Sequence, residues 1–197
     1  WETSRDAATG DEQDKPARSS TLPWREALER AWVLDPVPAW LPTQNSLERL
    51  ARTPRHHLAD PALAAAALGI DADALLSPPP LRDASPRADV LLGRLFESLL
   101  TQSVRIYAQA AEARIGHLRQ HRGDREIDLI VERRDRRVLA IEIKLGRTVG
   151  DDDVKHLRRL RERLGDALLD AVVINSGPQA YRRKDGIAVV PAALLGS

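Results

Sequence analysis

With 197 residues, 43% of them hydrophobic and 30% charged, and a net charge of +1, the chain has the composition of a soluble globular protein able to bury one sizeable core and a smaller companion domain. The absence of cysteine excludes a disulfide scaffold and any thiolate metal site; no apolar run approaches the roughly 20 residues of a membrane span, and no leader resembles a signal peptide. A cytoplasmic protein with no membrane partner is expected, and a start at Trp1 with no methionine anywhere predicts a piece of a longer polypeptide.

Residues 1–20 carry charges, Gly10 and Pro16 with little apolar periodicity, which predicts a poorly ordered polar segment. A helix is expected from Ser20 or Thr21, with Pro23 in its first turn and Trp24, Ala27, Leu28, Ala31 and Trp32 at helical spacing. Val33-Leu34, the prolines at 36 and 38, and Ala39-Trp40-Leu41 predict a short strand and its kinked return. After His57-Leu58-Ala59-Asp60, Pro61 opens a second helix through Leu63, Ala66, Ala67 and Leu68. Helix and two-strand ribbon together predict a partial winged-helix domain over 21–76, packed apart from the C-terminal half of the chain. Trp24, Trp32 and Trp40, eight residues apart, suit core filling there better than base stacking, with exposed apolar surface around one of them where missing chain would pack. A Pro-rich linker occupies 77–87.

The second domain, 88–197, opens with a long helix to about residue 113 whose core stripe is Leu91, Leu95, Leu99 and Ile106, with Glu97 on the same helix. Strands are expected at 115–119, 126–132 and 137–145, the last two forming a hairpin about Arg133-Arg134-Asp135-Arg136. A helix over 151–164 has Asp151, Asp152 and Asp153 at its N-terminus, Gly165 at its stop, and Val154, Leu157, Leu160 and Leu164 toward the core. It crosses over to a buried strand at Ala171-Val172-Val173-Ile174, followed by a short strand at 187–190 and a terminal helix. The fold class is α/β (α+β), a mixed sheet flanked by helices.

Alternation along the hairpin places Glu142 and Lys144 on one face, with Asp128 on the neighbouring strand. A carboxylate beside an ammonium on a largely apolar strand is costly unless each is paired or holds a metal; a solvated cross-strand pair is the other possibility. The chain's only lysines are Lys15, Lys144, Lys155 and Lys184 among 30 basic residues. A lysine kept at 144 therefore suggests a compact ammonium touching a water or a phosphate oxygen, which the broad guanidinium does not imitate.

The order of elements, with Glu97 on the first helix, Asp128 on the second strand and Glu142-Ile143-Lys144 on the third, resembles the PD-(D/E)XK nuclease superfamily over residues 88–197. More narrowly, Leu92-Gly93-Arg94-Leu95-Phe96-Glu97, Arg125-Glu126-Ile127-Asp128-Leu129-Ile130 and Ile141-Glu142-Ile143-Lys144 are similar to the C-terminal domain called domain of unknown function 4143. The segment Arg52-Thr53-Pro54-Arg55-His56-His57-Leu58-Ala59-Asp60-Pro61-Ala62-Leu63 also resembles that family, with Arg55 where the family leads one to expect lysine. The resemblance implies a restriction-endonuclease-like sheet and an AAA-type ATPase core and winged helix upstream in the same polypeptide. It implies a catalytic set of Glu97, Asp128, Glu142 and Lys144, with Mg²⁺ or Mn²⁺ held by Asp128, Glu142 and the carbonyl of Ile143.

Nucleic acid is the expected partner, with Lys155, Arg158, Arg159, Arg182 and Arg183 as candidate backbone contacts, although aspartates and glutamates among them equally suit a solvated face. His56 and His57 point to opposite faces of a strand and share no metal. No Gly-rich phosphate loop occurs, so ATP is expected to bind only upstream. Two functions are compatible with these residues: a metal-dependent nuclease domain, or a non-catalytic nucleic-acid or protein binding and sensor module that regulates the ATPase.

Overall fold

The computed structural model describes residues 18–42, 52–76, 86–119 and 126–196. The expected polar segment lies outside them up to residue 17, and so does the Pro-rich linker up to residue 85. Helix α1, Arg18–Arg30, begins slightly before its expected cap. Strands β1, Leu34–Val37, and β2, Arg55–Leu58, pair antiparallel with Val37 opposite Arg55. Helix α2, Pro61–Ala67, is capped by Asp60, whose carboxylate accepts from the Ala62 amide at 2.9 Å. A short α3, Ala72–Leu76, comes next, then the long α4, Pro86–Ala110.

The main sheet has six strands: β3 Arg114–Arg119, β4 Glu126–Glu132, β5 Val138–Lys144, β6 Leu168–Asn175, β7 Tyr181–Arg182 and β8 Ala188–Pro191. Their order is β3-β4-β5-β6-β8-β7. The first three form an antiparallel meander, and β5 continues in parallel into β6 through helix α5, Asp151–Leu164, because parallel neighbours need a crossover. Strand β8 lies parallel to β6, and β7 is its antiparallel edge. A 3₁₀ turn at Ala192–Leu194 stands in place of the expected terminal helix.

Each sheet face has its own core. Val154, Leu157 and Leu160 of α5 pack with Ala140, Ala171 and Val173; Leu100 and Val104 of α4 pack with Leu129, Ile141 and Ile143. The buried face of α4 is not the expected stripe: Leu99 and Ile106 are exposed, while Leu95, Ser98, Leu100, Thr101, Val104 and Ala108 are buried. Two small polar residues on the inward face hide it from an apolar count. Among the described residues no helix is long and apolar enough to cross a membrane.

The N-terminal elements do not pack apart. Val37 is fully buried in the α4-side core, Trp40 in the α5-side core, and Arg105 of α4 pairs with Asp35 at 2.7 Å. The return strand is 55–58 rather than 39–41. Ala39-Trp40 instead extends the edge of β3, the Trp40 amide donating to the His117 carbonyl at 2.7 Å and the His117 amide to the Pro38 carbonyl at 2.9 Å. The approach is close because residue 116 is glycine: a Cβ there would lie 2.9 Å from that of Trp40. Trp24 and Trp32 are 73% and 84% exposed against 6% for Trp40, so one of the three indoles fills a core.

Candidate carboxylate cleft

Strands β4 and β5 pair from Glu132↔Val138 to Leu129↔Ile141. One step further on, Asp128 and Glu142 are the next opposed residues. There the Asp128 carboxylate takes a place in the ladder, Oδ2 accepting from the Ile143 amide at 2.8 Å. The Ile143 amide thus helps to fix the Asp128 carboxylate. Both acids are buried, as the apolar neighbours Leu129, Ile130, Ile141 and Ile143 dictate.

Glu142 Oε1 lies 2.9 Å from Lys144 Nζ, two residues along the same face, whereas the buried Oε2 has no hydrogen-bond partner among the described residues. Burial, reinforced by the Asp128 charge and opposed by Lys144, pushes the Glu142 carboxyl up to about 8. Burial pulls the Lys144 ammonium down, but Glu142, then Asp128 and Asp153, outweigh it and hold it above its ordinary value.

In the sequence Arg55 stands out only as a departure from an expected lysine, yet it enters the cleft from β2. Its Nη2 lies 2.7 Å from Glu97 Oε1 on α4, and its Nη1 lies 2.9 Å from Asp128 Oδ1 and 3.5 Å from Glu126 Oε1. The Asp128 contact is a hydrogen bond; the Glu97 contact is short but lacks hydrogen-bond alignment, leaving Glu97 Oε1 without such a partner. Burial and the nearby Asp128 charge raise the Glu97 carboxyl to about 7, against the pull of Arg55. The guanidinium, lowered by burial, is held above its usual value by Glu97, Asp128 and Glu126. Nothing local in the sequence shows that residue 55 returns to residue 128, so neither Arg55 nor Glu126 is among the residues expected at the site.

Glu97 and Asp128 therefore meet through Arg55, and Glu142 and Lys144 meet directly. The set offers hard oxygen donors suited to a divalent cation, and the orphaned, buried Glu142 Oε2 is an acceptor such an ion would satisfy. Among the described residues, however, no group of three His, Asp or Glu is disposed to hold a metal as they stand, and Arg55 lies against Glu97 Oε1 and Asp128 Oδ1. The donors fit in kind, and the Arg55 guanidinium lies against three of them, Glu97, Glu126 and Asp128.

The other candidates divide. Arg158 pairs with Asp185 and Asp151, Arg183 with Asp151 and Asp185, and Arg182 doubly with Asp170 at 2.9 and 2.8 Å. These side chains tie α5 and β6 to the β7–β8 turn. Lys155 and Arg159 are exposed and form no ion pair among the described residues. His56 pairs with Glu29 at 2.7 Å, and His57 is buried, its ring pushed down to about 3 by burial and then by Arg55.

A mixed α/β sheet flanked by helices, with carboxylates of its second and third strands gathered against Arg55 and Lys144, defines the class. The family described as domain of unknown function, DUF4143, matches residues 92–195, and the chain belongs to it. No curated protein matches the chain. Among solved structures, it is similar to a chain in the assembly of McrB AAA+ hexamers with bound McrC from Thermococcus gammatolerans, with a TM-score of 0.35 and 12% identity. The likeness covers 94% of this chain and 64% of that one, so this chain spans less than two thirds of its length.

Proposed function

We propose that the chain is the C-terminal region of an AAA-type ATP-binding protein, and that its cleft is a divalent-cation-dependent nuclease site acting on nucleic-acid phosphodiesters. The observation that carries this is the Glu142 carboxyl: buried, pushed up by that burial and then by Asp128, and left with an oxygen, Oε2, that has no hydrogen-bond partner among the described residues. Structural burial of that kind brings no evident gain, whereas perturbed acids gathered in a cleft mark functional sites.

A Mg²⁺ or Mn²⁺ held by Asp128 and Glu142, with the Ile143 carbonyl, would polarise the scissile phosphate and lower the pKa of a water. Lys144, in reach of the same carboxylate, orients the water or balances charge developing on the phosphate. Glu97 holds the opposite wall. Lys155 and Arg159, exposed beside this end of the sheet, suit backbone phosphates better than Arg158, Arg182 and Arg183, whose charges are already matched. Family membership supports an ATPase core upstream of the winged-helix-like ribbon and helices over 21–76, which the segment 77–87 joins to the nuclease-like region over 88–197.

The sensor reading has one observation in its favour: Arg55 and Lys144 already neutralise much of the cleft. The deciding experiment is cleavage of labelled DNA and RNA by the full-length protein with Mg²⁺ or Mn²⁺, beside Asp128→Asn, which retains an acceptor for the Ile143 amide. Cation-dependent cleavage lost in the variant supports the nuclease; none by either protein, with ATP present, leaves the sensor.

A further inference from the structure

We propose that Arg55 is an internal plug, an autoinhibitory guanidinium that holds the cation position of the cleft and must leave before a divalent ion can enter. The inference rests on the reading of these carboxylates as a cation site and adds its regulation. Its basis is the geometry: one planar fork reaches an acid on α4 with Nη2 and two on β4 with Nη1. Lysine in its place would offer a single point charge, able to satisfy one of those walls at a time.

The plug is delivered by a strand 73 residues away from Asp128 in sequence, and that strand is itself anchored. Its partner β1 buries Val37, Arg105 of α4 grips Asp35 at 2.7 Å and the Pro36 carbonyl at 3.1 Å, and the Leu58 amide faces Ser98 Oγ at 3.4 Å. The ribbon thus fixes where Arg55 starts, while its side chain stays partly open to solvent and has a route out. Withdrawal leaves Glu97, Glu126 and Asp128 facing one another beside Glu142, a repulsion that an entering divalent ion relieves. Plug and ion therefore compete, and anything that shifts the β1–β2 ribbon on α4 changes access to the site.

The test is Mn²⁺ binding to the chain, measured by calorimetry and by the electron paramagnetic resonance signal of free Mn²⁺, for the unchanged protein, Arg55→Gln and Arg55→Lys. A site whose competent state is populated about 1% of the time binds roughly a hundredfold more weakly than its intrinsic affinity, so unplugging tightens binding by roughly tenfold to a hundredfold. Arg55→Gln should melt lower than the unchanged protein without metal and recover with Mn²⁺, and Asp128→Asn placed on top should remove the gain. Should the Gln variant fail to fold, Arg55→Lys, which retains the charge, decides through a smaller gain in affinity. Equal or weaker Mn²⁺ binding in the folded variants overturns the plug. Tighter binding without phosphodiester cleavage upholds the plug and sinks the nuclease; cleavage with unchanged binding does the reverse.

Discussion

Glu142→Gln turns the strain in the cleft into a measurable pH dependence. The folded-state pKa of Glu142 stands at about 8 against an ordinary 4.5. A carboxyl raised in this way contributes stability that is fully present below 4.5 and is lost as pH rises through 8, because the folded state keeps a proton that the unfolded chain has released. Between pH 5 and pH 8.5 the loss covers roughly three decades of proton concentration at about 1.4 kcal/mol each, hence on the order of 2–4 kcal/mol once coupling to Asp128 and Glu97 is allowed for. The buried His57 and His117, both lowered, act in the opposite sense, with stability rising as pH increases towards 6.5, but they are present in both proteins and cancel in the difference. Urea unfolding with EDTA, at half-unit steps from pH 5 to 8.5, should show the unchanged protein losing that much stability relative to Glu142→Gln. Two curves that run parallel across the window would refute the claim that burial, reinforced by Asp128, raises the Glu142 carboxyl against the pull of Lys144.

Lys144→Arg separates a surface pair from a positioned ammonium. Arginine keeps the charge beside the buried Glu142, so a residue that only balances that charge lets the melting temperature barely move, whereas a displaced contact near the scissile phosphate costs roughly a hundredfold in cleavage rate; full activity in the variant leaves Lys144 structural. Gly116→Ala places a Cβ 2.9 Å from that of Trp40 and 3.1 Å from the Pro38 carbonyl, which should destabilise by about 1–3 kcal/mol as that edge is forced apart. Gly93→Ala in α4, where an added Cβ would meet no atom of the described residues within 4 Å outside its own helix backbone and chain neighbours, should stabilise by about 0.5–1 kcal/mol. Chemical denaturation giving the same sign for both would break the packing account of the β3 edge.

The hairpin that carries Asp128, Glu142 and Lys144 is legible in the sequence because its period of two is local: strand 126–132 and helix 151–164 have the expected bounds. The features that sequence does not reveal depend on long-range pairing. Nothing in Ala39-Trp40-Leu41 distinguishes a return strand from a segment added to the edge of β3, since both are short, apolar and come after prolines. The inward face of α4 departs from the apolar stripe because Ser98 and Thr101 sit on it while Leu99 and Ile106 look outward. The two-residue β7 has too little pattern to be seen at all. Arg55 is the most consequential omission: in sequence it is a basic residue in a Pro- and His-rich stretch, and only the docking of the ribbon on α4 turns it into a partner for acids on two other elements.

The cleft is not explained by stability. A buried ion pair can usually be exchanged for apolar residues of like volume with little loss and often a gain of about 1–4 kcal/mol, and the neighbours of Asp128 and Glu142 are the fully or nearly fully buried Leu129, Ile130, Ile141 and Ile143. Two leucines at 128 and 142 would extend those cores without a break. The chain instead places four carboxylates, Glu97, Glu126, Asp128 and Glu142, against two cations, Arg55 and Lys144, and raises two of the acids to about 7 and about 8. The excess negative charge of the fully ionised set is what a divalent ion would neutralise, while the guanidinium lowers the repulsion among the three carboxylates it lies against. A purely structural cluster needs the second feature and not the first; a gated cation site needs both.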